Sequence, residues 1–187
     1  CFQKIEFDLS NTEVLPKLIG ELSAKVRFDV LINNAGVGYY GTHETLSPLQ
    51  IHEMVTVNLE VPMILTNLLL KDFKTHGGTI INISSVTAHK INTHGCAYGA
   101  TKAALSSFGS SLFEEARKTG VKVVNIHPDM TDTKLYRNAD FECDEDKNAY
   151  LEAIEVARAV KDVLELPEHM LVTDLTIRPQ KHKIKKK

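Results

Sequence analysis

Three short apolar runs, at residues 28–32, 79–83 and 121–126, are separated by longer stretches in which apolar residues recur every three or four positions. A continuous apolar run too short for a helix suits a strand covered on both faces. The intervening stretches read as helices. One follows Ser10 or Asn11 and carries Val14, Leu15, Leu18, Ile19 and Leu22. A second opens at Ser47-Pro48 and runs to about residue 74, and a third covers 96–118 with Leu105, Phe108, Leu112 and Phe113 on its apolar face. Further strands are expected at 4–9 and 171–177, and a last helix at 149–165. Strands alternating with helices imply an α/β fold with a doubly wound parallel sheet, whose ligand crevice lies at the carboxyl ends of the strands. Asp8, Asn33, Ser85 and Pro128 each follow a strand in this reading, so they gather at that edge.

With 187 residues, 43% hydrophobic and 25% charged, the chain reads as one domain spanning 1–187 with room for a substantial core. A net charge of −2 argues against a general nucleic-acid or membrane-surface role. No run is expected to reach the apolar length of a membrane span, and the first residues lack a secretory pattern. Cys1, Cys96 and Cys143 are odd in number and widely spaced, which suggests neither a disulfide framework nor a zinc knuckle and fits a reducing cytoplasm. The eight histidines contain no H-E-x-x-H pair, so no metal site is expected; His89 and His94 read as lining or solvent residues.

The chemistry concentrates in the stretch from Ser84 to Ala104. On a helix, Tyr98 and Lys102 stand one turn apart on one face. A free phenol titrates near ~10, and a fixed ammonium beside it favours the phenolate, so the pair suits proton transfer to or from an oxygen. Ser85, just past an apolar strand, has a hydroxyl placed to hold the same oxygen if its loop folds back. Pro62 lies four residues after Asn58 and lacks the N–H that the Asn58 carbonyl would accept. A kink with a free Asn58 carbonyl is expected there.

Asn33-Asn34-Ala35-Gly36, Asn58, Ser85, Tyr98-x-x-x-Lys102 and Pro128 occur in an order and spacing that resembles the short-chain dehydrogenase/reductase family over nearly the whole chain. The resemblance implies a Rossmann-type fold and hydride transfer between NADP or NAD, with NADP slightly preferred, and a small carbonyl or secondary alcohol. It assigns catalytic roles to Asn58, Ser85, Tyr98 and Lys102, with Asn58 anchoring a water relay. It places Asp8, Asn33, Ala35, Gly36, Tyr98, Lys102, Pro128 and Thr133 around the cofactor, Asp8 near the adenine. It also implies a homodimer or homotetramer. The alternative is a catalytically silent homologue serving as a binding or scaffold subunit.

Two features depart from the family. Asp129 stands where glycine usually follows the proline, and no G-x-x-x-G-x-G segment precedes Asp8. The fold is therefore expected to be incomplete at its amino end by two βα units, on the order of 50 to 60 residues. The 4–9 strand should then lie about 14 Å from the 28–32 strand. Residues 129–148, acidic in their later part, read as a mobile substrate loop. The basic stretch 178–187 reads as a solvated tail.

Overall fold

The computed structural model describes residues 3–187. Its centre is a parallel sheet of four strands in the order β1 (Val30–Asn33), β2 (Gly78–Ile83), β3 (Val121–Pro128) and β7 (Asp174–Ile177). The three apolar runs form β1, β2 and β3, each within two residues of its expected limits. Helices α1 (Leu15–Ser23), α3 (Val61–His76) and α4 (Cys96–Ala116) lie on one face, and α5 (Ala153–Leu164) lies on the other. The doubly wound α/β class is thus present.

Two cores follow from the strand alternation. Ile80, Val121 and Val123 face Leu69, Phe73, Leu112 and Ala116 from α3 and α4. Ile81, Val124 and Ile126 face Val163 of α5. The first run departs from the expected two-sided cover, because Val30 and Ile32 remain 37% and 43% exposed on the α5 side. Residues 4–9 form no strand and pair with no part of the sheet, so the expected strand there is corrected. Asp8 instead closes a local turn, its Oδ1 accepting from the Ser10 amide at 3.0 Å and the Ser10 hydroxyl at 2.7 Å.

Helix α2 (Pro48–Val55) begins in a capping box between Ser47 and Gln50. The kink expected from Pro62 takes another form. Thr56–Glu60 is a π turn, closed by the Val61 amide donating to the Thr56 carbonyl, and α3 starts afresh with Pro62 in its first turn. A first turn needs no amide donor at that position, so the register change absorbs the proline. Pro48–His76 is continuous enough, and apolar enough, to cross a membrane by length and composition, contrary to the sequence expectation. Here it packs against α1, α4 and β2, and fully buried Asn58 sits in its middle.

The segment 129–148 is built rather than featureless. It holds β4 (Thr131–Asp132), a 3₁₀ turn at Lys134–Asn138 and β5 (Phe141–Cys143). β4 pairs with β6 (Leu151–Glu152), and β5 pairs antiparallel with β8 (Ile184–Lys186). The basic stretch 178–187 is therefore not a free tail. The acidic side chains opposite it supply the physical reason, since Lys181 meets Asp146 at 2.7 Å and Lys185 meets Glu145 at 3.0 Å.

Candidate active site

Helix α4 presents Tyr98 in its first turn and Lys102 in its second, as the sequence spacing requires. The helix is fixed against the end of β2 by the Ser84 hydroxyl, which donates to the Lys102 carbonyl at 2.9 Å. Lys102 Nζ donates to the Ile83 carbonyl at 2.8 Å and lies 5.9 Å from the Tyr98 ring centroid. Both side chains are buried. Ser85 begins the loop beyond β2, its hydroxyl accepting from the Thr87 amide at 3.2 Å.

Asn58 works from behind. Its Oδ1 accepts from the Val37 amide at 2.8 Å, while its Nδ2 donates to the Val37 carbonyl at 2.9 Å and to Thr101 Oγ1 at 3.1 Å. One buried side chain thus ties the loop after β1 to α4. Gly36 lies close to both groups: a Cβ there would sit in van der Waals contact, 3.4 Å from Asn58 Oδ1 and 3.5 Å from Lys102 Nζ.

These groups border a cleft of about 760 Å³ at the carboxyl ends of the strands, lined by Ala35, Gly36, Ser85, Tyr98, Lys102, Pro128 and Thr133. Three expected site residues lie elsewhere. Exposed Asp8 is outside the cleft lining. Asn58 stands behind it. Asn33 points into the sheet, where its Nδ2 donates to Asn82 Oδ1 at 2.9 Å and Asn82 Nδ2 donates to Asn125 Oδ1 at 3.1 Å. The three asparagines are register partners on adjacent strands. Their row continues to Asp174 Oδ1, 3.4 Å from Asn125 Nδ2 and 2.9 Å from His127 Nε2.

Burial alters the expected acid–base balance. The Tyr98 phenol is pushed up to about 12 by loss of solvent, with the Ser85 and Tyr40 hydroxyls drawing it part of the way back. The lowered phenol expected from the Lys102 ammonium is not found. Lys102 spends a donor on Ile83 and is itself pushed down to about 8 by burial. Tyr98 is therefore a neutral phenol over the physiological range.

Tyr40 and Tyr136 escaped the sequence reading. The Tyr40 ring packs on Tyr98 at 5.5 Å, on Tyr136 at 5.9 Å and edge-on to Phe141 at 5.2 Å. The only sequence signal was the pair Tyr39-Tyr40 just after the Asn33–Gly36 turn. Asp129, the departure from glycine, is held by Arg178 Nε at 2.8 Å and accepts from the Met130 amide at 2.9 Å.

Residues 2–143 match the family described as short chain dehydrogenase, and the chain belongs to that family. It is 35% identical over 152 residues to an uncharacterised oxidoreductase of Staphylococcus epidermidis, covering 81% of this chain and 64% of that protein's length. It is 30% identical over 188 residues to a serine 3-dehydrogenase of Rhizobium radiobacter, covering 96% of this chain and 75% of the relative. Among solved structures, an alcohol dehydrogenase from Thermococcus sibiricus complexed with 5-hydroxy-NADP superposes with a TM-score of 0.84 at 26% identity, covering 95% of this chain and 74% of that one. A 4-hydroxyisoleucine dehydrogenase complexed with NADH shares the fold, with a TM-score of 0.81 at 23% identity over 94% of this chain and 78% of that one.

Proposed function

We propose that the protein moves a hydride between a nicotinamide cofactor and a small carbonyl or secondary alcohol, with Tyr98 as general acid and base. The observation that carries this reading is the convergence of Ser85, Tyr98 and Lys102 on one cleft, backed by Asn58. The residues fit the nicotinamide ribose end of such a cofactor, because Gly36 keeps the floor beside Lys102 free of a Cβ and the buried ammonium has donors beyond the one given to Ile83. Lys102, Tyr98, Ala35, Gly36, Pro128 and Thr133 would hold it, and when bound it supplies or accepts the hydride. NADP is the first cofactor to test and NAD the second.

In the reducing direction the Ser85 and Tyr98 hydroxyls donate to the substrate oxygen, and the Tyr98 proton passes to that oxygen as negative charge grows on it. The phenolate left behind is stabilised by the Lys102 ammonium. Asn58 keeps Thr101 and the loop after Gly36 in register with these groups. Val55 and Met63, 42% and 43% exposed on the long helical segment, accord with a homo-oligomeric assembly. The free Cys96 and Cys143 accord with a cytoplasmic setting.

Fluorescence titration with NADPH and NADH, followed by absorbance assays on aldehydes, ketones and hydroxy acids, tests the reading. Cofactor binding with turnover of one of these classes supports it. Binding without turnover of any points to the silent scaffold instead.

A pH dependence follows from the two burial effects. Tyr98 stays a phenol up to about 12, so the first group to change state on raising the pH is Lys102, whose ammonium is lost above about 8. Reductive kcat/KM should be level below that value and then fall about tenfold per pH unit. A level profile through about pH 9.5 would remove the ammonium from the mechanism.

A further inference from the structure

We infer that the basic stretch 178–187 is a strap that sets the shape of the substrate side of the cleft, and so acts on substrate affinity through residues 134–143. The inference rests on the reading of the cleft as a carbonyl reductase site. The strap runs along the loop from its root to its far end. At the root Arg178 pairs with Asp129, whose amide also donates to the Ile177 carbonyl at 2.9 Å. Farther along, Lys181 pairs with Asp146 at 2.7 Å and its amide donates to the Asn148 carbonyl at 2.8 Å. β8 then adds a strand to β5, with Lys185 between Glu142 at 3.7 Å and Glu145 at 3.0 Å.

The last contact reaches the site. Lys187 Nζ donates to the Tyr136 carbonyl at 2.9 Å and the Ala139 carbonyl at 3.0 Å, while its amide donates to the Asp140 carbonyl at 2.9 Å. Tyr136 lines the cleft and packs on Tyr40, which packs on Tyr98. Phe141, in β5 itself, packs on both Tyr40 and Tyr136. The strap therefore holds the backbone of the two loop aromatics that pack on Tyr40, the ring beside Tyr98. Without it β5 loses its strand partner β8, and the 3₁₀ turn keeps chiefly the packing of Tyr136 and Phe141 on Tyr40. Most of its ion pairs are exposed, so salt should loosen it, given a screening length near ~3 Å at 1 M and ~10 Å at 0.1 M.

The test compares the wild type with Lys181→Glu/Lys185→Glu/Lys187→Ala, and with a variant that adds Asp146→Lys and Glu145→Lys to the two charge reversals while keeping Lys187. Amide hydrogen exchange in 134–143, measured without substrate, should quicken about tenfold in the first variant and return toward wild type in the second. KM should rise about tenfold in the first variant while kcat stays within about threefold, and 1 M salt should raise the wild-type KM in the same sense. Unchanged exchange overturns the strap. Faster exchange with unchanged KM overturns its action on the site. If the wild type turns over no substrate, the proposed activity fails, yet the exchange result still decides whether the strap holds the loop.

Discussion

Replacing Tyr98 with phenylalanine should lower turnover by at least ~10²-fold, the lower end for loss of a general acid. The ring is buried against Tyr40, and phenylalanine preserves that packing while removing the hydroxyl. Nicotinamide cofactor affinity should change little, because Lys102, Gly36 and Thr133 remain in place. Thermal stability should be nearly unchanged too, since the lost hydroxyl leaves the Ser85 hydroxyl able to turn toward the open cleft. Near-normal kcat in this variant, measured at saturating cofactor, would show that another group delivers the proton.

The second large effect falls on stability. Asn82 is completely buried and bridges two other buried asparagines, accepting from Asn33 and donating to Asn125. Asn82→Leu removes both bonds at once and leaves the Asn33 amide and the Asn125 carbonyl without those partners. Each buried orphan costs about 1–3 kcal/mol, so the change should cost about 2–6 kcal/mol. That is a large share of the ~5–15 kcal/mol that holds an ordinary domain together. Space is short as well, because α4 approaches this row so closely that a Cβ on Gly109 would lie 2.1 Å from Asn125 Oδ1. Calorimetry should show a fall in Tm of roughly 10 °C. A loss below about 1 kcal/mol would mean that the row contributes little to the fold.

These two residues illustrate what local pattern reveals and what it hides. Tyr98 and Lys102 were legible because one helix fixes their relation, and β1, β2 and β3 were legible because each apolar run has a buried strand's length. The asparagine row was hidden, since pairing between Asn33, Asn82 and Asn125 depends on parallel register across about 45 residues at each step. A signal did exist, in that each sits near the carboxyl end of its apolar run. The strap was hidden for the same reason. Lys181 and Asp146 are 35 residues apart, and a run of lysines read alone looks like a solvated end.

Local rules also misjudged magnitude. The i to i+4 spacing of Tyr98 and Lys102 suggested a lowered phenol, but burial acts more strongly on both groups and moves them the other way. Pro62 correctly marked a fault in the long helix. Its outcome is a π turn with the proline in the first turn of α3, and the side chain of Asn58 within that turn bonds Val37 and Thr101, partners 21 and 43 residues away that no local rule supplies.

The central claim, that this cleft transfers hydride to a carbonyl carbon with Tyr98 giving the proton, is tested most directly by isotope transfer. Nicotinamide cofactor bearing deuterium at the transferable position would be incubated with the protein and a panel of aldehydes, ketones and keto acids, and the alcohols analysed by mass spectrometry. Deuterium should appear on the carbinol carbon of at least one product with the wild type, and be reduced at least ~10²-fold with Tyr98→Phe although that variant still binds the cofactor. Tight cofactor binding by the wild type with no deuterium in any alcohol would contradict the account.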